Sequence, residues 1–128
     1  MFIISVSEKF SSAHRLRNYN GRCENLHGHN WKVEIKISGK DLDKTGMLYD
    51  FTKLKSILKN ILTELDHKYL NELPVFKKNN PTSENIAKYI YDQICSEISN
   101  SKIKIESVTV WESDNSSATF LPCKNKIL

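Results

Sequence analysis

Between residues 31 and 37, apolar and charged side chains alternate without a break. Trp31, Val33, Ile35 and Ile37 are separated by Lys32, Glu34 and Lys36. A period of two puts all four apolar residues on one side of an extended strand and the charges on the other. Such a strand has one wet face and one face that another layer must cover. The covering layer is legible further along. From Asp50 the period changes: Phe51, Leu54, Ile57, Leu58, Ile61, Leu62 and Leu65 recur at three-and-four spacing, with Asp50 as the N-cap of a helix. Ile86, Tyr89, Ile90, Ile94 and Ile98 line a second helix, which Thr82 or Ser83 caps and whose first turn carries Glu84.

The remaining elements follow from composition. Residues 2–10 are rich in β-branched and aromatic types and read as a strand. The segment SGKDLDKTG is a polar connection with two glycines, and residues 71–81 read as loop, with Pro74 and Pro81 near its ends. KIKIESVTVWES and SSATFLP are two strand segments joined by Asp114–Asn115, a turn pair. The order ββααββ predicts an α+β domain spanning residues 1–128, an antiparallel sheet of four strands with two helices on one face. An open four-stranded sheet leaves two edges for another chain to cover, so an oligomer is expected.

Charge and cysteine usage narrow the class. The chain has 128 residues, 19 basic and 15 acidic, for a net charge of +4. That excess is too small and too scattered over Lys to argue for a nucleic-acid partner. No apolar run approaches the roughly 18 residues of a membrane span. MFIISVSEKF lacks a basic leader and a cleavage site, so neither a membrane nor a secreted location is expected. Three Cys (Cys23, Cys95, Cys123) without a CxxC pair suit a reducing compartment, hence the cytoplasm. Cys95, on the second helix, reads as packing.

The rare residues cluster. The three Arg (Arg15, Arg17, Arg22) and three of the four His (His14, His27, His29) lie in the first 29 residues. In Cys23-Glu-Asn-Leu-His27-Gly-His29, the two His at i and i+2 share one side of an extended chain, two legs of a metal site. His14 supplies a third from a neighbouring strand. Three His with an open position is a catalytic zinc arrangement; with Cys23 as a fourth ligand the site would be structural. A Cys beside a metal and Arg22 is alternatively a thiolate, able to act as a base. Asp66–His67 pairs a carboxylate with an imidazole, as a relay or merely as a helix-end cap. Glu112, after VTVW, can accept two N–H donors from a guanidine-like ring edge or stand free in solvent. Trp111 beside it reads as core or interface.

Six motifs in order carry a resemblance: Phe10-Ser-Ser-Ala-His14, Cys23-x-x-x-His27-Gly-His29, Asp50-Phe51, Leu65-Asp66-His67, Pro81-Thr-Ser-Glu-Asn85 and Trp111-Glu112. The chain resembles the 6-pyruvoyl-tetrahydropterin synthase / 6-carboxy-tetrahydropterin synthase family over residues 2 to 120. The resemblance implies the tunnelling fold, in which three subunits close their sheets into a barrel and two trimers stack into a hexamer. It implies one zinc per subunit on His14, His27 and His29. Cys23 would be the catalytic base, Asp66 and His67 the proton-shuttling pair, and Glu112 the pterin anchor. Thr82 and Ser83 would line the pterin pocket, and active sites would lie between subunits. The implied substrate is 7,8-dihydroneopterin triphosphate.

The short Cys-x-x-x-His-Gly-His spacing resembles the 6-carboxy branch of queuosine biosynthesis, whose products are 6-carboxy-5,6,7,8-tetrahydropterin, acetaldehyde and triphosphate. Glu24 also forms Glu-x-x-His-Gly-His, similar to a branch that releases 6-hydroxymethyl-dihydropterin for folate synthesis; a pyruvoyl product is the other alternative. Arg15, Arg17 and Arg22 are candidate contacts for the triphosphate. A zinc-stabilised binding module without catalysis is the competing class.

Overall fold

The computed structural model describes residues 1–20 and 24–122. Four strands form one antiparallel sheet in the order β1-β2-β3-β4: β1 (Phe2–His14), β2 (His27–Gly39), β3 (Lys104–Ser113) and β4 (Ser116–Phe120). Helices α1 (Phe51–Thr63) and α2 (Ser83–Glu97) lie between β2 and β3 in sequence. The expected ββααββ order is what the chain adopts. No helix among the described residues is long and apolar enough to cross a membrane.

The alternation in β2 does what its period requires. Trp31, Val33, Ile35 and Ile37 are fully buried, while Lys32 and Lys36 are exposed and Glu34 lies between. Val6 and Phe10 extend this apolar face through β1, and Val108 and Val110 through β3, where they oppose Ile35 and Val33. Against it pack Leu54, Leu58, Ile61 and Leu62 of α1 and Ile86, Ile90 and Ile94 of α2. Gly39 ends β2 where the chain passes close to its neighbours. A Cβ there would meet Leu48 Cδ1 at 2.6 Å and the Lys102 carbonyl at 2.9 Å.

The helix caps follow the side chains available. Asp50 Oδ1 accepts the N–H of Thr52 at 2.8 Å. At α2 the cap is Thr82 and not Ser83: its hydroxyl accepts the N–H of Asn85 at 3.1 Å. Helix α1 stops at Thr63, before the last residue of its apolar series. Leu65 is nevertheless fully buried, because the turn beyond the helix folds it under. Phe51, the first of that series, stays half-exposed.

Three expectations need correction. Strand β1 runs on through Ser11, Ser12 and Ala13 to His14, and β2 begins at His27, so at this end of the sheet both strands extend four residues beyond the apolar pattern. Cross-strand pairing of Ser12 with His29 and of His14 with His27 holds these polar ends extended. Residues 71–81 are not a plain loop: short 3-10 turns at Leu70–Glu72 and Pro74–Phe76 bury Leu70 and Phe76. Cys95 is exposed, one position round α2 from the buried Ile94. There its thiol meets the Tyr91 hydroxyl, whose pKa is pushed up to about 12 first by that hydrogen bond and then by burial.

Candidate metal centre and active site

The polar ends of β1 and β2 converge three imidazoles. His14 and His27 oppose each other across the strand pair, and His29 follows His27 on the same side. One nitrogen from each of His14, His27 and His29 lies within 4.8 Å of the others. The rings stand edge to face at centroid distances of 4.7 to 5.2 Å. Trp31 floors the cluster, 4.9 Å from His14 and 5.2 Å from His29, and is itself stacked on Phe10.

Backbone carbonyls decide which nitrogens face inward. His14 Nδ1 lies 2.8 Å from the Pro81 carbonyl, and His27 Nδ1 lies 2.8 Å from the Asn25 carbonyl. Each Nδ1 therefore carries a proton and donates it, so that in the neutral ring the lone pair belongs to Nε2. Those two Nε2 atoms face each other at 3.1 Å. Among the described residues, His29 Nε2 is buried without a hydrogen-bond partner; Glu112 Oε1 stands 3.5 Å away without forming one. Burial holds the His29 pKa below the usual imidazole value, Glu112 opposes that shift, and His14 and His27 add to it. Three imidazoles whose neutral forms converge their lone pairs, one of them on a buried nitrogen, are what a divalent cation requires. These three residues could hold a metal ion.

The chain belongs to the 6-pyruvoyl tetrahydropterin synthase family. Its family model, described as 6-pyruvoyl tetrahydropterin synthase, matches residues 3–123. A protein of Archaeoglobus fulgidus named putative 6-carboxy-5,6,7,8-tetrahydropterin synthase is 38% identical over 113 residues, covering 88% of this chain and 90% of that one. The 6-pyruvoyl tetrahydrobiopterin synthase of Dictyostelium discoideum is 38% identical over 104 residues, with 72% and 77% covered. The solved structure of Caenorhabditis elegans 6-pyruvoyl tetrahydropterin synthase superposes with a TM-score of 0.79 at 31% identity, covering 94% of each chain. The fold is therefore that of these synthases.

Beside the three-His cluster, a turn is docked on the free edge of β1. Asp66 and His67 lie beyond α1 and not in its last turn. The His67 N–H donates to the Ser11 carbonyl at 2.6 Å, and the Ala13 N–H donates to the Lys68 carbonyl at 3.0 Å. The Ser12 hydroxyl also donates to the Leu65 carbonyl. Asp66 uses one oxygen to accept the Ser11 N–H at 2.8 Å and points the other at His67 Nε2, 3.5 Å away. The geometry requires a left-handed backbone at His67, with φ 54°. Its side chain is 83% exposed and lines an open cleft of about 380 Å³ that also reaches His29 and Lys68.

The other sequence candidates fall in different places. Glu112 stands on the cluster's side of the sheet, partly exposed beside His29. Thr82 and Ser83 follow directly on Pro81, so they sit behind His14. Cys23 and Arg22 lie outside the described residues. Arg15 is exposed. Arg17 is not a free phosphate contact: its guanidinium donates to Asn80 Oδ1 at 3.2 Å, to the Asn79 carbonyl at 3.1 Å and to the Phe76 carbonyl. Three loop acceptors occupy the fork that an anion would need. Sequence reasoning missed Asn71 and Asn80, which hold the chain beyond His14. No local pattern marks them, because their partners are 56 and 63 residues away.

Proposed function

We propose that this chain is a zinc-dependent tetrahydropterin synthase acting on 7,8-dihydroneopterin triphosphate. Its products would be 6-carboxy-5,6,7,8-tetrahydropterin, acetaldehyde and triphosphate, a step of queuosine biosynthesis in the cytoplasm. The observation that carries the reading is the convergence of three imidazole lone pairs beside a cleft that His67 also lines. The name of the Archaeoglobus fulgidus relative supports the carboxy branch.

His14, His27 and His29 would hold the zinc, which as a Lewis acid polarises substrate oxygens and acidifies the adjoining C–H. Cys23 would take a side-chain proton as a thiolate. His67 would move protons at the other side of the cleft, and Asp66 would hold its ring in one orientation. Glu112 would accept the amino and ring N–H groups of the pterin, a charge-assisted pair. Thr82 and Ser83 would line the pterin pocket. Among the described residues no strand pairs with the edge of β1 below Ser11 or with that of β4, which suits closure by neighbouring subunits, as in a trimer that stacks into a hexamer.

Product analysis tests this directly. Purified protein with zinc and 7,8-dihydroneopterin triphosphate should yield 6-carboxy-tetrahydropterin and acetaldehyde, and Cys23→Ala should lose the activity. A pyruvoyl or hydroxymethyl pterin would move the chain to another branch. No pterin product, with unfolding on chelation, would leave only a zinc-stabilised module.

A further inference from the structure

Beyond His14 the chain leaves the sheet, yet residues 15–17 remain paired on both sides. On one side, asparagine side chains stand in for a neighbouring strand. Asn71 Oδ1 accepts the Arg15 N–H at 3.0 Å, and Asn71 Nδ2 donates to the Arg15 carbonyl at 2.9 Å. Asn80 repeats the pattern two residues on: Oδ1 accepts the Arg17 N–H and Nδ2 donates to the Arg17 carbonyl, both at 2.9 Å. On the other side Glu24 does the same for Leu16. Its N–H donates to the Leu16 carbonyl at 2.8 Å, and its Oε1 accepts the Leu16 N–H at 3.2 Å. An extended chain offers residues i and i+2 to one neighbour and i+1 to the other. Side chains thus complete the ladder where strand pairing has run out.

The rungs tie the ligand strand to both loops behind the site. Asn71, itself buried, follows the turn that carries Asp66 and His67. Asn80 precedes Pro81, whose carbonyl orients the His14 ring. The Asn80 carbonyl is fixed in turn by Asn85 Nδ2 at 2.8 Å. Any slip of a rung moves the Pro81 carbonyl, and with it the orientation of the His14 ring. Metal ligation tolerates only about 0.2 Å of error in bond length.

We propose that Asn71 and Asn80 are positioning residues, two amide rungs that set the geometry of the three-His centre by registering the segment after His14 against the loops at 66–71 and 80–82. The inference rests on the metal-dependent reading above, but its first readout needs no turnover.

Full-length protein is titrated with Co²⁺ against a competing chelator, and the visible absorption of the bound ion is recorded. Asn80→Ala should weaken Co²⁺ binding about 10–100-fold, the usual loss when a group behind a ligand is removed, and should alter the spectrum. With substrate, its kcat should fall far more than its KM rises. Asn80→Asp keeps the acceptor for the Arg17 N–H and loses the donor, so it should fall between wild type and Ala in every readout. If Asn80→Ala yields no folded protein, Asn80→Asp decides with a smaller expected loss. Wild-type affinity and spectrum in either variant, whatever the melting temperature, would overturn the positioning role and leave the proposed function standing. A wild-type protein that binds no Co²⁺ overturns the metal reading and the inference together.

Discussion

The middle of the sheet and its histidine-bearing end belong to the same two strands, yet different forces hold them. In the middle, Val33, Ile35 and Ile37 lie fully buried under two helices, and the stabilisation scales with apolar area removed from water. At the end, the residues are Ser, Ala, Gly, Asn and His, and what holds them is pairing. Ser11 is bonded to Asp66 and His67, His14 to Pro81, and residues 15 and 17 to two asparagines. The first region is tolerant of shape and intolerant of polarity. The second keeps lone pairs unpaired on purpose, which costs stability that the first region supplies.

Trp31 belongs to both regions, and removing it should have the largest effect. It stacks on Phe10 below and carries the His14 and His29 rings above. Trp31→Ala is expected to cost about 3–5 kcal/mol in urea unfolding and to weaken metal binding as well. Unchanged metal affinity in the folded variant would mean the aromatic floor is mere core. Leu58→Ala should separate the two regions. Buried in α1, its loss should cost about 2–5 kcal/mol while leaving Co²⁺ affinity of the folded fraction as in wild type. A spectral change in that variant would show that the core and the site are mechanically coupled.

The same division decides what was legible in the sequence. The helices and the centre of β2 announce themselves because burial imposes a period, and the caps Asp50 and Thr82 because backbone N–H groups need acceptors. The cluster of His14, His27 and His29 was legible from parity, since i and i+2 share a face. What stayed hidden was tertiary. Nothing in Ser11-Ser12-Ala13 marks a strand until Asn30, His29 and Gly28 lie opposite. Asn71 and Asn80 look like loop residues until Arg15 and Arg17 are beside them. The charge of Arg17 alone cannot reveal that Asn80 Oδ1 and two backbone carbonyls occupy its fork. Cys95 defies the general tendency of Cys to be buried, because it lies one step around the helix from the buried Ile94.

A smaller effect should appear with pH. His29 has its folded-state pKa below the ordinary value of 6.5. Between those two values the unfolded chain binds more protons than the folded one, so stability falls as pH drops below 6.5 and is constant above it. In metal-free protein, thermal unfolding from pH 8 to pH 5 should show this decline, and His29→Gln should flatten part of it. A metal-free protein that grows more stable on acidification would contradict the desolvated environment of the ring. Saturating metal should raise stability most at neutral pH, because binding requires the neutral imidazoles.

The smallest stability effect, and the sharpest separation of the two regions, belongs to His67. Its left-handed backbone costs a non-glycine residue about 1–2 kcal/mol, and its side chain, 83% exposed, buries little area to offset the cost. The strain persists because the turn is fixed from outside: Ser11 and Ala13 of β1 hold residues 66–68 by the backbone, and Asp66 closes the turn through the Ser11 N–H. Glycine adopts this conformation freely but gains about 0.5–1 kcal/mol more freedom in the unfolded chain, so the two terms nearly cancel. His67→Gly should therefore unfold within about 1 kcal/mol of wild type and bind Co²⁺ with unchanged affinity. Turnover should drop by about 10²–10⁴-fold, the usual worth of a positioned acid–base group. Asp66→Asn keeps an acceptor for the Ser11 N–H and should hold the turn while losing most of the same rate. If His67→Gly retained full turnover, His67 would be a turn residue only, and proton transfer at this end of the sheet would have to come from another group in the cleft.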